Sequence, residues 1–294
     1  MSVAILRLLG RLPLGVLYVT LSPLLTVLLY WVVRYRRDVV RDNIANSFPD
    51  MPVAEQRRLA WRYYRHLGQL TAEILRAQAH SESELLRRVS FKNLDMIERI
   101  RAEGKSIMVM ALHQSNWEWL LQAGGVVIGP PISVVYKPLH NQAMDQFFLD
   151  ARTRFHCQCI PHKRLLQGLR KWPRPYFFCL LADQSPMKKS PKAWATMLGQ
   201  DTAFPLGAEI IAAGTQPVVV FCSMHQTRLG YYEVEFQPLC EPPYPAGEHP
   251  ILTRYAELAT RSISEQPHTW LWSNRRWRFG KSEDQYRGED HRRV

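Results

Sequence analysis

Hydrophobic positions divide this chain into three regimes. From Leu12 to Val33 they run almost unbroken, and LPLGVLYVTLSPLLTVLLYWVV carries no charged side chain. About 20 apolar residues suffice for a helix to cross the hydrocarbon core of a bilayer, and Pro13 and Pro23 are tolerated in membrane helices. Arg34, Arg36, Arg37 and Arg41 follow at once, a basic flank of the kind retained on the cytoplasmic side. The run is long for a cleaved signal peptide, and no small-residue cleavage site precedes the arginines. It predicts an anchor over residues 1–35, spanning the membrane or lying in its interface, with the rest of the chain on the cytoplasmic face.

The second regime is amphipathic. RYRRDVVRDNIANSF reads as a short basic helix running alongside a membrane, punctuated by Pro49 and Pro52. Residues Val53 to Gln78 place Leu59, Tyr63, Leu67, Leu70 and Ile74 on one face, which predicts a long helix.

From Glu103 onward short apolar runs alternate with helical stretches. Strands are expected at 106–112, 132–136, CQCI, 176–183, 217–223 and 230–236, and helices at 116–127, 143–155, 164–172, 205–214 and 250–266. That alternation predicts an α/β fold with a largely parallel central sheet flanked by helices. One domain is expected over 36–280, followed by a polar tail at 281–294 that frays.

Charge narrows the partners. The chain has 294 residues, 46% apolar and 22% charged, with a net charge of +12. Such an excess suits nucleic acid, an anionic membrane surface or a phosphorylated substrate. No nucleic-acid recognition motif is present, and the apolar segment would tether the chain away from DNA, which sets that class aside. The five cysteines (Cys157, Cys159, Cys179, Cys222, Cys240) are odd in number and scattered. They read as free thiols in a reducing compartment, with neither a disulfide framework nor a zinc site. No metal or cofactor is expected.

The candidate chemistry lies in His113-Gln114-Ser115-Asn116-Trp117-Glu118, where an apolar strand gives way to a helix. Loops at the carboxyl ends of strands are where α/β sheets build sites. Within one helix, positions i and i+5 point about 140° apart. With His113 in the loop and Glu118 in the first helical turn, the carboxylate can fold back to the imidazole, fix its tautomer and stabilise the imidazolium. That is a general base with an orienting partner. The nucleophile is then a hydroxyl brought by the substrate. Ser115 is a covalent alternative, but no GxSxG elbow surrounds it. Asn116 is expected to cap the helix and is also a candidate for substrate contact. Trp117 is a core or groove-wall residue, while Tyr136 and Lys137 are candidates to line the site. Lys188, Lys189 and Lys192 form a basic loop suited to phosphates or an acidic protein.

HQSNWE resembles the HxxxxD/E motif of glycerolipid acyltransferases, and specifically the H-x-x-N-W-E form of the bacterial lipid A late acyltransferases. VYKPLHN, ARTRF, LLADQSP and TWLWSNRRWR are similar to further segments of that family in the same order, as are the apolar N-terminus and VVRDNIANSFP. Ser273 and Asn274 depart from the family's more usual His-Arg pair. The resemblance implies a glycerolipid-acyltransferase-like domain. It also implies transfer of a fatty acyl chain from acyl carrier protein, less often acyl-CoA, to a hydroxyl of a lipid A precursor at the inner membrane. By that resemblance His113 is the base and Glu118 its partner. Arg152, with Arg154 as competitor, matches the family's arginine, and Asp183 its aspartate. Such an arginine could hold a phosphate or an oxyanion. Asp183 would either act in catalysis or orient that arginine. The departures at 273–274 and at Gln114-Ser115 bear on the acceptor more than on the reaction, so the alternative is another membrane lipid, a lysophospholipid, aminolipid or glycolipid; a non-catalytic membrane protein is the further alternative.

Overall fold

Strand β2, Ile107–Ala111, is buried at all five positions. An uninterrupted apolar run of this kind belongs in the middle of a parallel sheet whose two faces are both covered. A computed structural model describes residues 3–129, 132–162, 165, 174–244 and 249–280, and β2 is the central one of seven strands. The others are β1 (Val89–Lys92), β3 (Ile132–Tyr136), β4 (Cys157–Pro161), β5 (Phe177–Leu181), β8 (Val218–Arg228) and β9 (Tyr231–Cys240), in the order β1-β9-β8-β2-β5-β3-β4. Every neighbouring pair is parallel except β8 with β9. The expected α/β sheet is therefore present. Its register sets Ala111 beside both Leu181 and Cys222.

Helices cover both faces. They are α1 (Val3–Gly10), α2 (Leu14–Val19), α3 (Leu21–Val27), α4 (Arg37–Ser47), α5 (Val53–Arg76), α6 (Glu82–Arg88), α7 (Leu94–Ala102), α8 (Trp117–Val127), α9 (Gln142–Arg152), α10 (Gly207–Thr215) and α11 (Pro250–Glu265). One core cluster packs α4, α5, α10 and α11 against one sheet face through Met108, Met110, Phe178, Val219 and Phe221. The other lies under α8 and holds Val109, Ala111, Phe177, Val220 and Cys222. Alternate residues of each strand thus point to opposite faces, as the pleat requires.

Several elements lie beyond the sequence reading. α6, β1 and α7 occupy a stretch left unassigned, and β1 has four residues with alternating exposure, too few to show a period. The β6 (Lys192–Met197) and β7 (Gln200–Pro205) hairpin turns through Leu198 and Gly199, both with positive φ (51° and 72°). Two-residue turns of this hand favour Asn-Gly, so a leucine in the first position conceals the signal. The helix expected at 164–172 falls, but for Leu165, outside the described residues, as does the tail at 281–294.

The apolar N-terminal segment is not one straight rod. α2 and α3 meet at Thr20, and a π-helical turn (Leu28–Val32) follows. The segment runs antiparallel along α5. A Cβ on Gly68 would lie 2.6 Å from both Ser22 O and Thr26 Oγ1, so only glycine admits this approach.

Histidines buried on the helical side make stability depend on pH. Burial pushes the His66 imidazole down to about 3, helped by the neighbouring His268. Burial, with Arg154 or Arg62 nearby, takes His80 and His268 down to about 4. Below the unfolded value near 6.5 the unfolded chain binds protons that the folded chain refuses. Stability is therefore complete above pH 6.5 and falls as pH drops toward 4, by about 1.4 kcal/mol per pH unit for each of these groups. Denaturant titrations between pH 7 and 4.5 should show this slope, and His66→Gln should flatten it by about one proton.

Candidate active site

The parallel register of β2 and β5 generates the centre of the site. Ala111 sits beside Leu181, so the residues two positions further along each chain, His113 and Asp183, emerge together. His113 Nδ1 lies 2.7 Å from Asp183 Oδ1, and the backbone N–H of His113 donates to Oδ2 at 2.9 Å. Trp270 Nε1 donates to the same Oδ2 at 2.8 Å. Asp183 is 2% exposed. Burial alone would raise its carboxyl, yet the His113 ring, the Trp270 indole and the His113 amide hold it below the usual range. A carboxylate accepting from Nδ1–H leaves Nε2 as the basic nitrogen. No described residue engages Nε2 in a hydrogen bond, and His113 lines a cavity.

The loop carrying His113 is tied on both sides. Leu271 N donates to His113 O and Ser115 N to Thr269 O, each at 3.0 Å. The Gln114 amide is bonded to Ser262 and Thr269. Ser115 turns the chain with φ of 55° and donates its hydroxyl to Met224 O at 2.7 Å. Its oxygen is buried and committed, which removes the serine-nucleophile alternative. Arg276, 1% exposed, lies close enough to Asp183 to influence its charge and donates to Ala203 O.

The two acid partners are exchanged relative to the sequence reading. Glu118 was expected to orient His113, and Asp183 was open to orienting an arginine. Instead Asp183 holds the imidazole, while Glu118 receives Arg152 through Nε at 2.8 Å and Nη2 at 2.6 Å. The cause is positional. Glu118 starts α8 and Arg152 ends α9, and α8 and α9 pack side by side. The ring of His113 is turned toward β5. Trp117 packs edge-on against that ring, with centroids 5.3 Å apart.

Arg154 does not reach the site. Its guanidinium donates to Ala77 O and His80 O, both at 2.8 Å, so it ties the end of α5 to the β-sheet side. Asn116 is fully buried, caps α8 through Trp119 N at 3.0 Å and donates to Glu73 at 2.6 Å. It is a cap, out of substrate reach. Lys137 and Tyr136 do line the cavity, as does Trp117. Lys188 and Lys189 occupy an exposed turn, and Lys192 begins β6. None of the three lines that cavity.

Glu73 is the residue that sequence reasoning missed. It is fully buried on α5 and accepts from Tyr18 at 2.5 Å and from Asn116 and Tyr232 at 2.6 Å. Burial pushes its carboxyl up, and these donors oppose the shift. A signal existed. Leu59, Tyr63, His66, Leu70, Glu73 and Ala77 follow helical spacing and are all buried, so an acid falls inside an apolar stripe, where it needs partners.

The cavity has a volume of about 650 Å³ and runs between α8 and the sheet. His113, Glu118, Arg152 and Lys137 stand among its polar lining, and Val109, Ile132, Phe177, Cys179 and Leu121 among its apolar wall. Gly124 also lines it, and a Cβ there would meet nothing within 4 Å. The arrangement offers a positioned base, an arginine and an apolar slot in one continuous space.

Comparison with known proteins places the chain in a family. Residues 1–279 match the family model described as bacterial lipid A biosynthesis acyltransferase. A relative from Haemophilus influenzae, named lipid A biosynthesis acyltransferase, is 24% identical over 211 residues. The match covers 69% of this chain and spans 64% of the relative's length.

Glu118, which is buried, and Arg152, which is part-exposed to the cavity, should behave as a unit. Removing one charge leaves the other desolvated and unpaired, a loss of about 3 kcal/mol. Glu118→Gln and Arg152→Met should each destabilise by that order. The double variant should lose at least about 1.5 kcal/mol less than the sum, as read from a double-mutant cycle in urea.

Proposed function

The chain belongs to the bacterial lipid A biosynthesis acyltransferases, and from that membership and the site geometry we propose that it is a membrane-bound O-acyltransferase. In this reading it moves a fatty acyl chain from an acyl thioester on acyl carrier protein to a hydroxyl of a lipid A precursor, on the cytoplasmic side of the inner membrane. The observation that carries the reading is the His113 imidazole, clamped through Nδ1 by a buried aspartate, at the side of an apolar cavity.

The steps follow from that geometry. Nε2 of His113 removes the proton from the acceptor hydroxyl as its oxygen attacks the thioester carbonyl. Asp183 keeps Nδ1 protonated and stabilises the imidazolium, the role of the aspartate in Ser-His-Asp sites. The tetrahedral intermediate collapses, the C–S bond breaks, and the departing thiolate takes the proton back from His113. Arg152 uses two of its N–H groups on Glu118; the others are suited to the oxyanion or to an acceptor phosphate. Lys137, at the cavity edge, supplies a second cation for phosphate. The acyl chain lies in the apolar slot, where each buried methylene contributes about 0.8 kcal/mol.

Three outcomes test the reading with acyl carrier protein thioester and the acceptor lipid. His113→Ala should lower kcat/KM by at least about 10³-fold, since the base is removed. Unchanged turnover would end the proposal. Asp183→Asn should cost about 10³–10⁴-fold, as a lost tautomer does elsewhere, with folding checked by circular dichroism. Gly124→Leu should shift preference toward shorter acyl chains, because its side chain enters the empty slot. Mass spectrometry of lipids from cells lacking the protein should show loss of an acyl chain on lipid A. A change confined to another lipid class would transfer the same chemistry to a different acceptor.

A further inference from the structure

Granting work at a membrane, the packing of the N-terminal segment decides how the chain is held there. Leu14–Val32 is long and apolar enough to cross a bilayer, with mean hydropathy 1.8. A crossing helix needs companions free of charge along its length. This segment has α5 against it throughout: Gly10 sits on Leu75, Tyr18 donates to Glu73, Ser22 and Thr26 press on Gly68, and Tyr30 packs edge-on to Trp61 and Tyr64. α5 carries Arg57, Arg58, Arg62 and Arg65, all exposed. Crossing would draw those guanidiniums into hydrocarbon, where charged side chains are excluded unless paired or watered.

The outward face of the segment remains apolar. Val19, Leu24, Trp31 and Val32 are each more than half exposed, Val19 at 75%. At its end the chain turns through Arg34 and Arg36, with φ of 52° and 50°, and a second cavity of about 860 Å³ opens between the π-helical turn, α4 and α5. Arg34, Arg37, Arg41 and Arg57 line it, together with Asp38 and Asp42. Both aspartates bind Arg41, at 3.1 and 3.0 Å. Arg37 lies over the Tyr30 ring, 4.4 Å from its centroid. Arg34, Arg37 and Arg57 make no salt bridge to a described carboxylate. Three guanidiniums that no described carboxylate pairs, beside an aromatic pair at the end of an apolar stripe, match the depth at which lipid phosphates lie.

We propose that α2, α3 and the π-helical turn lie within one leaflet instead of crossing the bilayer, and that the arginine cavity at their end grips the phosphate of an anionic phospholipid headgroup. The proposal rests on the membrane reading above and adds the mode of attachment and the lipid class.

Two measurements on the full chain decide it. In sealed membrane vesicles with the folded part facing outward, protease should remove an N-terminal epitope tag as readily as it digests the rest. A protected tag would mean a crossing helix and overturn the proposal. In flotation assays, Arg34→Gln, Arg37→Gln and Arg57→Gln together should weaken binding to phosphatidylcholine vesicles containing phosphatidylglycerol by at least about 30-fold. About fivefold per basic side chain at an anionic surface gives about 10²-fold for three, of which about 30-fold is the lower bound. Binding to pure phosphatidylcholine should not change. Arg99→Gln, Arg254→Gln and Arg261→Gln together should weaken mixed-vesicle binding less than about threefold. Equal losses in the two triple variants would reduce the effect to net charge and overturn the headgroup site. So would a loss seen only toward an acidic carrier protein. Acyl transfer by the cavity variant in detergent should match the parent chain, so failure here is separate from failure of the His113 assay.

Discussion

A carboxyl group taken out of water must be met by hydrogen-bond partners, and this molecule is arranged around two that are met. Asp183 gathers the His113 amide, the His113 ring and the Trp270 indole. Glu73 gathers Tyr18, Asn116 and Tyr232. Between them these groups draw in strands β2, β5 and β9, helices α2, α5 and α8, and the segment after α11. The His113–Glu118 hexapeptide is suspended between the two acids: its first residue is bonded to Asp183 and its fourth to Glu73. Its shape is therefore imposed from outside, with Ser115 held at positive φ in the middle.

This explains why the fold was more legible than the site. The strands β2, β5 and β3, inside the sheet, read correctly because helices cover its two faces, which writes continuous apolar runs into the sequence; β1, a four-residue parallel strand at the sheet edge, was not read. Those runs gave ISVVY its limits at 132 and 136. The hairpin was hidden because Leu198 occupies a turn position that composition assigns to asparagine. In the site, His113, Glu118, Arg152 and Asp183 were identified as the chemistry-bearing set, and the cavity or its rim brings them near one another. Which acid faces which base was not legible. That pairing depends on strand register, since 113 and 183 lie 70 positions apart and meet only because Ala111 and Leu181 are partners. Spacing along one chain favours the nearer acid, Glu118, and the nearer acid is the wrong one.

Arg152 and Arg154 show the same limit at finer grain. Arg152 is the last residue of α9 and Arg154 lies in the turn just beyond it, so helical spacing does not fix their relative directions. Arg152 turns toward Glu118 and the cavity; Arg154 turns toward the carbonyls at the end of α5. A motif aligned by eye cannot choose between them, whereas burial can. The arginine that meets a buried acid is held by charge, and the one that meets carbonyls is held as a clamp.

The Glu73 cluster also links attachment to chemistry. Tyr18 belongs to the apolar segment, Glu73 to the helix it lies on, and Asn116 to the cap that starts α8, with Glu118 in the first turn. Each joint is a short hydrogen bond between buried or half-buried groups, so displacing α2 would strand a desolvated carboxylate and loosen the cap. The packing of α2 on α5 and the geometry of the site are thus stabilised by the same interaction. An apolar helix used only as a tether would not need to place a tyrosine hydroxyl on one of the two acids that fix the HQSNWE turn.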